Sequence, residues 1–390
     1  MSVMHIIKRG LVWGAFFMVT FFNLGEIKAT HIVGGDITYR FLERLNGQNR
    51  YQIVLTIRRD CSKDINGIEL NEDFDKNAFI SIFKDDKNNK KTLFQTLNIA
   101  LSNITGVDDK IESDCGFEGS QICYEQTEYK AIVTLPDNAD GGYLIVYQRC
   151  CRNGSINNII NPLNTGATYS AEISKTSFTN MNSSPKFTKW PNVYMCVNEP
   201  YDFEFEATDA DGDSLVYKLC VPYAGLDSIA PQITASLPAK APPFPEVIFQ
   251  PPYNLNNLMG GVPLAINKFT GRITALPNIV GQYVMTVCVE EYRNGVKIGE
   301  VRRDLQYNTR ICSTPPTAIV DAPSSICNTK TVNFINNSLS SDTYEWNFNY
   351  PSTDPAFRTT IKNPSFTFPA NGDYKVYLKV VRGSDKCFDT

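Results

Sequence analysis

The chain has 390 residues, a formal net charge of −4 and only two histidines. A mildly acidic chain without a long like-charge run offers no electrostatic footprint for nucleic acid or for an anionic membrane surface. About 360 residues follow the leader segment, more than one hydrophobic core organises, so two or three domains are expected.

In chain order, the leader comes first. Lys8 and Arg9 precede the apolar run Leu11–Phe22, and Ala29 sits just before Thr30 and His31. A basic start, a short apolar run and a small-residue exit are the signature of a secretory signal peptide, here 1–29. The run is shorter than the roughly 20 residues that span a bilayer. The chain is therefore expected to be secreted, with no transmembrane span. Its eleven cysteines, at 61, 115, 123, 150, 151, 196, 220, 288, 312, 327 and 387, show no CxxC spacing. In an exported chain that reads as a disulfide framework, with one thiol left over.

The rest reads as strands. Tyr51–Arg58, Tyr129–Leu135, Tyr143–Gln148, Tyr201–Ala207, Gln282–Val289, Arg302–Tyr307 and Asp373–Val380 are rich in β-branched and aromatic residues. Turn signals at Asn46–Gly47, Asp140–Gly142, Asp211–Gly212, Asn294–Gly295 and Asn371–Gly372 punctuate them. No run with helical period is expected after the leader. Short strands with frequent turns predict an all-β fold of tandem sandwiches. The Ser/Asn/Pro-rich stretch 177–191 and the linker 313–317 divide the chain into units 30–178, 190–312 and 315–390. The Pro-rich stretch 237–252 reads as a long loop inside the second unit.

The chemistry on offer is limited. His5 leaves with the signal, and His31 lies at the expected new N-terminus. A hydrolytic triad needs an imidazole positioned inside the fold, and zinc hydrolases usually need more than one. A non-enzymatic protein is expected. Glycoside hydrolysis by two carboxylates escapes this argument, but no spacing singles out a pair. Asp209–Ala210–Asp211–Gly212–Asp213 places three carboxylates at alternate positions around a glycine, a pattern whose oxygens can converge on structural Ca²⁺. The competing reading is a solvated hairpin whose aspartates bond the local backbone. Cys150 and Cys151 end a strand, where successive side chains point to opposite faces. Two different partners are expected, Cys61 for one and Cys115 or Cys123 for the other. A Cys150–Cys151 redox switch is the alternative. Tyr223 and Tyr253 could stack on sugars, although core packing is the commoner fate of aromatics in sandwiches. The repeated Arg-Arg-Asp at 58–60 and 302–304 suggests structural Arg–Asp pairing at strand ends.

Three resemblances add to this. Tyr344–Phe348, Asn363–Phe368 and Asn371–Val380 resemble a PKD domain, an Ig-like sandwich whose core holds the Trp, here Trp346. Asn349–Tyr350–Pro351 replaces that family's Gly-Asp-Gly. The resemblance implies that Cys327 and Cys387, which flank the unit, pair. It also implies a parent chain that continues past Thr390. Ala207–Tyr217, Thr270–Ile273 and Gly281–Val287 resemble a cadherin-like sandwich. Fold analogy then supplies Glu199, Glu290 or Glu291 as further calcium ligands, although the acidic linker and the Leu-Asp-Arg-Glu motif of cadherins are missing. In this unit Cys220–Cys288 and Cys196–Cys312 are the expected pairs. Thr30–Tyr39, Arg59–Cys61 and Tyr147–Asn153 resemble exported, PKD-containing surface proteins of Bacteroidota. That likeness implies display at the outer membrane surface, gliding motility or adhesion, and an extracellular protein or polysaccharide partner. A carbohydrate-binding, non-catalytic part of a polysaccharide-targeting protein is the alternative.

Overall fold

The structure, a computed structural model, describes residues 32–61, 74–88, 90–107, 123–192, 194–312 and 315–390. The signal peptide, His31, Cys115 and the linker residues 313 and 314 lie outside the described residues. The strands of the first unit are β1 (Ile32–Leu45), β2 (Gln48–Asp60), β3 (Asn77–Asp85), β4 (Lys91–Ala100), β5 (Ile104–Val107), β6 (Tyr124–Leu135), β7 (Tyr143–Arg149) and β8 (Ala167–Ile173). A single turn of helix, α1 (Lys175–Thr179), follows. The second unit has β9 (Lys186–Phe187), β10 (Tyr194–Cys196), β11 (Tyr201–Glu204), β12 (Ala207–Thr208), β13 (Ser214–Cys220), β14 (Val262–Ile266), β15 (Arg272–Leu276), β16 (Gly281–Arg293) and β17 (Val296–Arg310). The third has β18 (Val320–Asp321), β19 (Thr331–Asn333), β20 (Ile335–Asn336), β21 (Thr343–Asn347), β22 (Arg358–Thr359), β23 (Ser365–Thr367), β24 (Tyr377–Arg382) and β25 (Ser384–Asp389). Among the described residues no helix is long and apolar enough to cross a membrane.

Side-chain alternation explains the first core. On β2 the odd residues Tyr51, Ile53, Leu55 and Ile57 are buried, and on β7 the odd residues Tyr143, Ile145 and Tyr147 join the same core. The even residues of β7, Leu144 and Val146, point the other way and are buried as well. They are covered by Leu226, Ile233, Ala239 and Phe244, which belong to the strand-poor segment after β13. The first part of the Pro-rich stretch 237–252, read as a loop of the second unit, is thus a cover on the first, while Val247 and Phe249 further along it pack with Val284 of β16. Hydrogen bonds hold the 226–244 cover there, with Cys150 N donating to Pro231 O at 2.8 Å and Ala239 N to the Ser81 hydroxyl Oγ at 2.9 Å.

The two long strands β16 and β17 form a hairpin closed by Asn294 and Gly295, both at positive φ, a conformation suited to the tight hairpin turn. Asn46 and Gly47 close β1–β2 in the same way. The other edge of β17 is shared among three strands in succession. Val301 pairs with β8, Asp304 and Leu305 with β1, and Asn308–Arg310 with β10. One 12-stranded sheet therefore runs through both of the first two units. The stretch 177–191 is not a free linker. Ser177, Asn182, Ser183, Ser184 and Phe187 are buried in it. Gly34 and Gly35 permit the crossing, since a Cβ at Gly34 would lie 2.8 Å from Asp304 O and one at Gly35 2.7 Å from Thr56 O.

The third unit has its own aromatic core of Phe334, Trp346, Phe348 and Phe368. Residues 373–376, expected to open a strand, lie before β24, and the polar β25 was not anticipated. Tandem β-sandwiches describe the chain.

Four disulfides lie within the described residues. Cys196–Cys312 and Cys220–Cys288 join as expected. Cys61 pairs with Cys123, and Cys150 with Cys151, instead of Cys61 reaching the vicinal pair. β7 ends at Arg149, so the alternation that would separate the two sulfurs no longer applies. The vicinal pair is buried under the 226–244 cover, which removes the solvent access a redox switch needs. Cys327 is exposed and free. Cys387 is fully buried on β25 and disulfide-bonded, but not to Cys327, so the pairing implied by the PKD resemblance does not form.

Candidate metal centre

The seam between the first two sandwiches concentrates charge. Arg303 Nε donates to Asp36 Oδ2 at 2.6 Å, and Arg152 forks onto Asp304 at 3.1 and 2.6 Å. All four residues are buried. Trp190 stacks between Arg58 and Arg303, 4.0 and 3.9 Å from its ring centroid, and the Phe187 ring lies 4.3 Å from Arg303. A desolvated contact of this kind contributes about 2 kcal/mol. The second Arg-Arg-Asp thus pairs across elements instead of with itself, and in the first, Arg59 takes Glu125 at 2.6 Å.

The acidic loop lies beside this seam. Asp209 Oδ1 accepts the backbone N–H groups of Asp211 and Asp213, both at 2.9 Å, the local turn bonding anticipated as the competing reading. Asp211 Oδ2 accepts from Ser183 N at 2.7 Å, which ties the loop to the segment joining the two sandwiches. Arg293 donates from Nε to Asp213 Oδ1 at 2.7 Å, and from Nη2 to the other carboxylate oxygen and to Asn182 Oδ1. Burial draws the Asp209 carboxyl up, whereas the Arg293 guanidinium holds Asp213 below its usual range.

Glu291 completes the cluster. Its ligating oxygen and those of Asp209 and Asp213 lie within 4.8 Å of one another. Glu291 is fully buried. Oε1 accepts from Asn182 Nδ2 at 2.6 Å, while Oε2 has no hydrogen-bond partner, and neither has the buried Oδ2 of Asp209. Burial first, then a hydrogen bond that the carboxyl, once protonated, shares with Asp213, and the charges of Asp209 and Asp213, push Glu291 up to about 9, against the lowering bond from Asn182. Space for the side chain comes from Gly299 on the facing strand, where a Cβ would stand 2.5 Å from Oε2.

The remaining ligands expected from the sequence do not converge here. Asp211 is turned to Ser183. Glu290 faces the opposite side of β16, where Lys218 and Lys297 donate to it at 2.6 and 2.7 Å. Partial burial pulls it upward, but those hydrogen bonds hold it down to about 2. Glu199 is no member of the cluster. The signal for Glu291 was present in the strand itself. Tyr283, Met285, Val287 and Val289 form the inward row of β16, and Glu291 continues it.

The two tyrosines considered as a sugar platform are engaged. Arg302 stacks on Tyr223 at 3.7 Å, with Phe244 on the same ring at 5.4 Å, and Tyr253 packs edge-on against Tyr283 at 5.6 Å.

No family model matches the chain, and no curated protein matches it. Among solved structures, domains A168–A170 of titin are similar at 8% identity, covering 92% of this chain and 96% of that one, with a TM-score of 0.20. The dimeric latent PorU from Porphyromonas gingivalis is similar at 11% identity, covering 91% of this chain and 33% of that one, with a TM-score of 0.16. Scores this low carry no argument, and the fold class rests on the sheets themselves.

Proposed function

We propose that the chain is a non-enzymatic, exported surface protein of the adhesin type, a rigid spacer that presents loops to an extracellular protein or polysaccharide. The observation that carries this reading is β17, whose edge binds β8, β1 and β10 and so joins the strands of the first two sandwiches in one sheet. The disulfides favour an oxidising compartment. The signal-like leader and the resemblance to PKD-containing surface proteins favour display at the outer membrane surface.

The carboxylates speak against catalysis. Asp36, Asp304 and Asp75 are each held by an arginine, and Glu291 is enclosed against Gly299, without the room a sugar ring would need beside a catalytic acid.

Limited proteolysis and small-angle scattering on the exported chain test the spacer. Resistance throughout 177–191 is expected, and early cutting there into independently folded pieces would sink the reading. A glycan array and a pull-down on insoluble polysaccharide address the partner. Selective retention on one sugar would move the assignment to a carbohydrate-binding, non-catalytic module. Hydrolysis abolished by single Asp or Glu substitutions would overturn the non-enzymatic reading.

A further inference from the structure

We propose that the third unit carries a surface through which two copies of this chain associate, the strap 322–330 of each copy seated in a cleft of the other. The strap is pinned at both ends. Val320 and Asp321 of β18 pair with β20, and the Lys330 carbonyl accepts from Phe368 N at 2.8 Å. Between those points every residue is exposed. Asn328, at a φ of 69°, turns the chain back toward β19. The strap and residues 370–374 bound a cleft of about 560 Å³, floored by Val332, Phe334 and Phe368 of the aromatic core. That volume falls within the range of binding clefts, and an apolar floor under a polar rim favours an apolar side chain over water.

The patch is complementary to itself, and that identifies the occupant. Beside the recess stands a projection of matching chemistry, because the strap carries Ala322, Pro323 and Ile326 among the residues that line the cleft. Charge is matched in the same way. Lys330 lies on the strap and Asp373 on the other wall, both exposed and both lining the cleft. A two-fold axis that lays the strap of one copy between the walls of the other brings each Lys330 to the partner's Asp373. It also sets each Ile326 over the apolar floor of the other copy. An isologous contact needs one surface with both projection and recess and with both signs of charge. A ligand of another kind would need the recess alone. The free thiol Cys327 sits on the same strap, so its replacement separates association through the cleft from chance coupling through sulfur. The surface lies in the third unit and does not depend on the adhesin reading.

Sedimentation velocity on the full exported chain, as wild type and as Cys327→Ser, tests the contact. In both, the mass should move from monomer to dimer with rising concentration, with half-association between about 10 and 500 μM, as suits a small interface. On the Cys327→Ser background, Ile326→Asp should weaken association by at least about tenfold. Lys330→Asp should weaken it by about three- to tenfold, and adding Asp373→Lys should restore it to within about twofold. All four positions are exposed, so the fold should survive each change, as circular dichroism can verify. A monomer at every concentration up to about 1 mM would overturn the proposal and leave the cleft to a partner of another kind. A dimer that needs Cys327, or one that Ile326→Asp leaves intact, overturns it as well. A double charge reversal as weak as Lys330→Asp alone would remove the two-fold exchange on which the proposal stands.

Discussion

The seam at β17 and the core of the third unit hold their parts together by different means. The third unit packs Phe334, Phe348, Phe366 and Phe368 around Trp346, with ring centroids of neighbouring pairs 4.2–6.0 Å apart. Its cohesion is apolar area and ring geometry. At the seam the buried contacts are Arg303–Asp36 and Arg152–Asp304, with serine and asparagine bonds to the backbone around them. Apolar packing tolerates repacking within limits, whereas a buried charge depends on one partner in one place. The comparison teaches that the junction is the less forgiving of the two, although it is the more polar.

The largest expected effect probes that contrast directly. Arg303→Ala leaves Asp36 buried without its partner and removes the stacking on Trp190, and should cost about 3–5 kcal/mol. Because β17 serves both sandwiches, calorimetry should show their transition fall as one while that of the third unit stays put. Two separated transitions from the first 310 residues would break the comparison. The mirror experiment is Trp346→Ala, at about 3–5 kcal/mol. It should unfold the third unit alone, and an equal loss in the first two would show that the units are coupled. Cys196→Ser with Cys312→Ser opens a disulfide between residues 116 apart in sequence, with a loss of about 2–5 kcal/mol read from denaturant midpoints under oxidising conditions. Gly35→Ala drives a methyl into Thr56 O and Tyr169 and should cost about 1–3 kcal/mol. A neutral result there would mean that β1 and β17 have slack to separate. At the small end, Cys327→Ser should change stability by less than about 0.5 kcal/mol and abolish labelling of the native chain by a thiol reagent. Persistent labelling would place the reactive thiol elsewhere.

Much of the strand content was legible because burial alternates where the residues do. Tyr51, Ile53 and Leu55 face one core, and the hairpins at Asn46–Gly47 and Asn294–Gly295 fall where positive φ is cheapest. What could not be read was partnership over distance. Nothing local in Arg302–Tyr307 says that its free edge belongs to β8, β1 and β10. The Ser/Asn-rich stretch 177–191 has the composition of a linker, yet its small polar side chains are the ones that bond Tyr39 and Glu291. The acidic loop was visible, but its partner Glu291 was distinguishable from Glu290 only by following the inward row along β16. The vicinal cysteines were misread because the strand stops one residue before them.

The shared edge of β17 also sets an order of events. Gly34 and Gly35 find their partners far along the chain on β17, at Leu305 and Asp304. Contacts so remote in sequence make a chain slow to fold, because loop closure precedes any stabilisation. A chain that crosses a membrane N-terminus first must therefore hold β1 and β8 with part of their edges open until β17 has emerged. Open edges of this kind invite pairing with other chains.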